Sequence, residues 1–177
     1  MILSTPTLFI FSGAPAAGKT TLARLLAQRL HALYLRLDSM EQPLLAAFGD
    51  DIADIGYRAA HGIARDNLRL GHDVVADCVN DVAVTRDAWR DVALGVGVAA
   101  VEIEIFCSDP DEHRRRVETR TIDVPGLRAP TWEEICGMKS DPWPRDRLAI
   151  DTAGRSVDDC FGELVARLSP LAKRDEN

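Results

Sequence analysis

Gly13, Gly18, Lys19 and Thr20 fall in the order G-x-x-x-x-G-K-T inside SGAPAAGKTT, residues 12–21. These residue types at this spacing suit the cradling of a phosphate chain. The glycines admit backbone angles and a close approach that side chains would block. The loop between them, Ala14, Pro15, Ala16 and Ala17, is then free to wrap an anion with its main-chain N–H groups. A helix opening near Gly18 adds the positive end of its dipole. Lys19 sets a cation on the β- and γ-phosphates of a nucleotide, the Thr20 hydroxyl is placed to ligate Mg²⁺, and Thr21 completes the phosphate-binding set. A glycine turn that merely joins strand to helix is the bland alternative. Against it, the motif coincides with an apolar strand before it and a leucine-rich helix after it.

Passing a γ-phosphoryl group from ATP to a hydroxyl needs more than a cradle. It needs a carboxylate at the acceptor, an acid that organises the metal, and arginines that meet the charge on the group in transit. Asp38 is expected at the end of the second strand, on the sheet edge where open α/β folds bind ligands, and is assigned to orient or deprotonate the acceptor hydroxyl. Its alternative role is an N-cap for the segment from Ser39. Asp77 ends the run VVAD and is assigned to Mg²⁺ or to holding Thr20; a purely structural hydrogen bond is the alternative, and Asn80 stands near enough to share either task. Arg114, Arg115, Arg116 and Arg120 follow the fourth strand. On a helix Arg116 and Arg120, four apart, share a face, so both are expected to point at one polyphosphate. With Arg128 inside the Pro/Gly break at 123–130, the stretch from about 110 to 140 reads as a lid that excludes water. The alternative for any one arginine is a solvated helix with i,i+4 pairs such as Glu112 with Arg116.

The elements that must hold these residues alternate. Strands are expected at 7–11, 34–38, 73–79, 98–106 and 147–151, and helices at 20–33, 55–70, 83–94, 108–119 and 156–168, with a short helix begun by the T-x-x-E capping box at Thr131 and Glu134. Glutamates alternating with apolar residues in 98–106 suggest a strand near the sheet edge. Trp132 and Trp143 read as packing aromatics. Strands separated by helices in this rhythm give an α/β fold with a five-stranded parallel sheet sandwiched by helices.

The 177 residues suffice for one domain, expected to span 1–177. A net charge of −7 is the wrong sign for a broad basic face that holds a long polyanion. The opening stretch runs from apolar residues straight into the glycine loop and reads as a strand rather than a signal peptide, and nothing resembles a membrane span, so a cytoplasmic protein is expected. Cys78, Cys107, Cys136 and Cys160 show no metal-ligand spacing and read as buried free thiols. No N-K-x-D guanine motif accompanies the loop, which argues against a GTPase switch.

Taken together, GAPAAGKTT, LRLD, NLRLGHDVVADCVN, TRDAWRDVA, CSDPDEHRRRVETR, PTWEE and LAIDTAG resemble the P-loop kinase group that includes gluconate kinase, chloramphenicol phosphotransferase, the zeta toxins and the polynucleotide kinase domain. The similarity is strongest to the AAA-type predicted kinases grouped with them. The resemblance implies a P-loop NTPase of the nucleoside-monophosphate-kinase-like type with a helical lid, ATP with Mg²⁺ as donor, an acceptor-side acid at Asp38, and phosphate-facing arginines at Arg116 and Arg120. It also implies that the loop DTAG, with Thr152 and Gly154, flanks adenine. One departure is DSMEQ, where Glu41 stands in place of the cation usual in polynucleotide kinases and zeta toxins; two negative charges there disfavour an anionic acceptor, unless Arg36, Arg58 or Arg65 restores positive charge. The expectation is an ATP-dependent phosphotransferase acting on a hydroxyl of a small molecule. The alternatives are a nucleic-acid 5′-hydroxyl kinase and a nucleotide-binding regulatory ATPase without an acceptor.

Overall fold

The computed structural model describes residues 5–49, 52 and 54–172; the first residues of the opening stretch and residues 173–177, read from sequence as part of a frayed tail, lie outside the described residues. The chain runs β1 (Thr7–Ser12), α1 (Lys19–Leu30), β2 (Leu33–Arg36), α2 (Leu37–Phe48), α3 (Ile55–Arg69), β3 (Val74–Asp77), α4 (Ala83–Val96), β4 (Ala99–Phe106), α5 (Pro110–Thr119), α6 (Trp132–Cys136), β5 (Leu148–Asp151) and α7 (Val157–Ala172). All strand pairings are parallel, in the order β2-β3-β1-β4-β5.

The run at the start of β1 is apolar at successive positions because both faces of a parallel strand are covered. Leu8 and Ile10 point into a core shared with α3 and α4, while Phe9 and Phe11 point into a second core with α1 and α7. The same period of two sends Val74 and Ala76 of β3 to the first core and Val75 to the second. Register then sets the site: Phe11 lies opposite Asp77, and Asp77 opposite Arg36, so the penultimate residue of β1 and the last residues of β3 and β2 form one row at the carboxyl edge.

Two expectations need correction, and a third holds for a different reason. β4 lies next to the edge strand, between β1 and β5, as expected. Its glutamates are not there because one face meets solvent; Glu102 is buried and held by Arg90 at 3.4 Å and Arg145 at 3.2 Å, and Glu104 is held by Arg147 at 2.5 Å. β2 stops at Arg36, so Asp38 sits in the first turn of α2, a helix whose periodicity Pro43 obscures in the sequence. All four cysteines are free, but only Cys78 and Cys160 are buried. Among the described residues no helix is long and apolar enough to cross a membrane.

Candidate functional site

The loop between β1 and α1 has the backbone that its glycines allow. Gly13 adopts φ 141° with Ile105 O packed where a Cβ would stand, and its N–H donates to Val79 O at 2.9 Å. Gly18 caps α1 at φ 100° with no side chain bonded to the helix N-terminus, leaving the first-turn N–H groups free for an anion. Ala16 takes φ 65°, a left-handed strain of roughly 1 kcal/mol for a residue with a Cβ.

Lys19 Nζ lies 2.6 Å from Asp77 Oδ1, and both side chains are nearly fully buried. Tyr34 of β2 donates its hydroxyl to Asp77 Oδ2 at 2.7 Å. Burial alone would raise the Asp77 pKa; the Lys19 charge, with hydrogen bonds from Lys19, Tyr34 and Thr20, holds it below the usual carboxylate range. An ammonium carries three protons, so Lys19 can keep Asp77 and still donate to a phosphate. Thr20 and Asp77 supply hard oxygen donors of the kind Mg²⁺ takes. Among the described residues no group of three or more His, Cys, Asp or Glu side chains converges, so an ion here would draw its other ligands from phosphate and water. Asn80, fully buried, donates to Phe11 O at 3.0 Å and accepts from Tyr57 at 3.4 Å, which gives it a structural role.

Above the loop opens a cavity of about 700 Å³, lined by Ala14, Pro15, Ala16, Gly18, Lys19, Thr20 and Thr21 and, across from them, by Asp38, Arg36, Arg116, Arg120, Arg128 and Thr152. Most of the site residues read from sequence thus line one space, and Asp77 contacts Lys19 beside it; Gly13, Ala17 and Gly154 do not line it. Arg58 and Arg65 of α3 do not line it. Trp132 packs edge-on against His113, and Trp143 is flanked by the guanidiniums of Arg86 and Arg147.

The two helical arginines are not equivalent. Arg116 donates to Glu112 at 2.6 Å, and to the hydroxyl and carbonyl of Thr152, each at 2.8 Å. Glu112 in turn accepts from Gly154 N–H at 2.8 Å, which ties α5 to the loop after β5. Arg120 lies just past the end of α5 at φ −65°, ψ 143°, so the shared helical face ends before it. Its Nε is buried without a hydrogen-bond partner, and burial lowers its pKa despite nearby Asp38.

Sequence reasoning did not find Tyr34, His113, Arg24 or the role of Asp123. His113 shares a hydrogen bond with Pro15 O at 2.8 Å, joining α5 to the phosphate loop. Asp123 is gripped by Arg24 at 2.5 Å and Arg36 at 2.7 Å. These partners stand 99 and 87 positions away, so no local pattern could announce them.

A glycine-lysine-threonine loop between β1 and α1, at the carboxyl edge of a five-stranded parallel sheet, defines a P-loop protein with a kinase-like fold. Residues 8–126 match the model of the AAA domain family, and the chain belongs to that family. No curated protein matches the sequence. Among solved structures, the chain is similar to the APS kinase CysC of Mycobacterium tuberculosis, solved with AMPPNP and APS (TM-score 0.69, 21% identity, covering 93% of this chain and 98% of that one). It is similar to a gluconokinase of Sinorhizobium meliloti (0.68, 18%, 96% and 95%) and to Kti12 of Chaetomium thermophilum, solved with ADP-AlF3 (0.65, 18%, 90% and 97%). At these identities the similarity defines the fold.

Proposed function

We propose that the protein transfers the γ-phosphoryl group of Mg·ATP to a hydroxyl of a small molecule. The observation that carries this reading is the convergence on one cavity of an uncapped helix N-terminus with Lys19 and Thr20, a carboxylate at Asp38, and the arginines Arg116 and Arg120. The kinases among the similar folds support it.

In this reading the loop Gly13–Thr21 binds the phosphates, and Thr152 and Gly154 border the nucleoside. Bound Mg²⁺, held by Thr20 with Asp77 behind it, would neutralise charge on the β- and γ-oxygens. Asp38 orients the acceptor hydroxyl and takes its proton as the oxygen attacks phosphorus; the bond to the leaving ADP oxygen breaks. Arg120, half-buried and with its Nε lacking a hydrogen-bond partner, faces the charge on the group in transit. Arg116, fixed by Glu112 and Thr152, holds the nucleoside side. The segment from α5 through α6 acts as a lid, hinged on His113 and Glu112. A single domain over 1–177 and a cytoplasmic location belong to the same proposal.

The competing reading, a nucleotide-binding ATPase without an acceptor, draws on the similarity to Kti12. The two part on one comparison. Asp38→Asn is expected to bind Mg·AMPPNP as the wild type does and to lose transfer by roughly 10²–10⁴-fold; unchanged phosphoryl turnover in that variant would remove Asp38 from the chemistry.

A further inference from the structure

Arg36 ends β2 and is nine-tenths buried, its side chain 10% exposed. Its Nη1 donates to Asp123, while its Nε is buried without a hydrogen bond, 3.5 Å from the Asp38 carboxylate. Arg24, on α1, grips the other oxygen of Asp123. Asp123 itself belongs to the irregular stretch between α5 and α6, and its side chain is half exposed. A carboxylate from the lid segment therefore fills a fork of two arginines at the edge of the cavity. Carboxylate, phosphate and sulfate present the same oxygens to such a fork, so one exchanges for another without moving the arginines.

The sheet order says which ligand this fork serves. Thr152 and Gly154 follow β5, at one end of β2-β3-β1-β4-β5; Arg36 ends β2 and Asp38 follows it, at the other end, with the phosphate loop between. With Asp123 withdrawn, three guanidiniums, Arg24, Arg36 and Arg120, line the Asp38 end of the cavity beside a single carboxylate. That excess of positive charge favours a second ligand that is itself acidic.

Resting on the phosphotransferase reading above, we infer that the acceptor carries an acidic group, a phosphate, sulfate or carboxylate, and that Arg36 and Arg24 receive it by giving up Asp123. This reverses the expectation drawn from Glu41, which is half-buried beside Gly56 of α3 and does not line the cavity. Asp123 thus both closes the cavity and competes with the acceptor. The Asp123 carboxyl, held down to about 2 by its two arginines, stays ionised at neutral pH, so the exchange is driven by ligand charge and not by protonation.

The test is calorimetric titration of sulfate, and separately of inorganic phosphate, into protein saturated with Mg·AMPPNP at fixed ionic strength, with glycerol as the uncharged control. Removing the internal competitor in Asp123→Asn is expected to tighten anion binding roughly tenfold, the value for a fork free about a tenth of the time. Arg36→Gln is expected to abolish that binding, and Arg24→Gln to weaken it. If Asp123 is a clamp and nothing more, Asp123→Asn weakens or leaves unchanged the affinity for sulfate, and the inference is overturned. It is also overturned if Arg36→Gln and Arg24→Gln, each with wild-type circular dichroism, bind sulfate as well as the wild type does. Failure of AMPPNP itself to bind would be a separate result that removes the phosphotransferase reading and this inference with it.

Discussion

Lys19 and Asp77 are coupled in a way that the motif alone does not reveal. Substituting Lys19 by Ala strands a buried carboxylate, which costs about 3–5 kcal/mol in comparable sites. Lys19→Ala is therefore expected to lose both nucleotide affinity and stability, the first by calorimetry and the second by denaturant unfolding. Thr20→Ala leaves the Lys19–Asp77 pair in place and is expected to keep the fold while weakening only the Mg²⁺-dependent part of binding; equal affinities with and without Mg²⁺ in the wild type would contradict the role given to Thr20. A third prediction concerns Glu41, whose pKa is raised from its ordinary 4.5 by burial and then by Asp38. Folding favours its neutral form. Its contribution is thus fully present below the unfolded pKa and is lost as pH rises through the folded value. Glu41→Gln is expected to melt at the wild-type temperature near pH 4 and above it near pH 8; equal melting temperatures at both would show that the carboxylate is not desolvated. The chemistry-bearing residues of the loop were legible because each is required by a local spacing. Tyr34 and Asp123 were not, because their roles exist only through long-range contacts.

Local backbone and pairing decide whether the cradle forms. In Gly13→Ala a methyl group would press on Ile105 O at a φ that L-residues avoid, a cost of roughly 2–3 kcal/mol. Chemical denaturation should show that loss, and nucleotide binding should fall with it. Arg86 of α4, fully buried, donates to the carbonyls of Asn80, Asp81, Asp141 and Pro142 and stacks on Trp143. It fastens the loop before β5 to the loop after β3. Arg86→Ala is expected to destabilise by about 3–5 kcal/mol, through carbonyls left without a donor; a loss below 1 kcal/mol in urea unfolding would show that water replaces the guanidinium. The strands and most helices could be read from apolar periodicity. α2 could not, since Pro43 interrupts its pattern, and β4, read correctly as near an edge, carries its glutamates through ion pairs to Arg90, Arg145 and Arg147 that no local pattern announces.

In the proposed reading the nucleoside lies after β5 and the acceptor after β2, at opposite ends of the sheet, and the stretch from α5 to α6 reaches both ends. It touches the phosphate loop through His113, the β5 loop through Glu112, and α1 and β2 through Asp123. Saturation with Mg·AMPPNP should therefore slow amide hydrogen exchange across 110–140 together with the phosphate loop; protection confined to 13–21 would show that the stretch is no lid. The parallel architecture and its cradle were open to sequence reasoning because they follow from alternation and one motif, whereas the proposed acceptor site depends on which side chains meet at Asp38. The account rests most heavily on transfer to an organic hydroxyl. The decisive measurement is the fate of the γ-phosphoryl group when the protein is incubated with γ-labelled Mg·ATP and a metabolite extract, resolved by mass spectrometry, with Lys19→Ala and Asp38→Asn alongside. The account predicts a labelled organic phosphate that forms with the wild type and is absent with both variants. Label recovered only as unreacted ATP or inorganic phosphate, from a protein that binds AMPPNP, would contradict it.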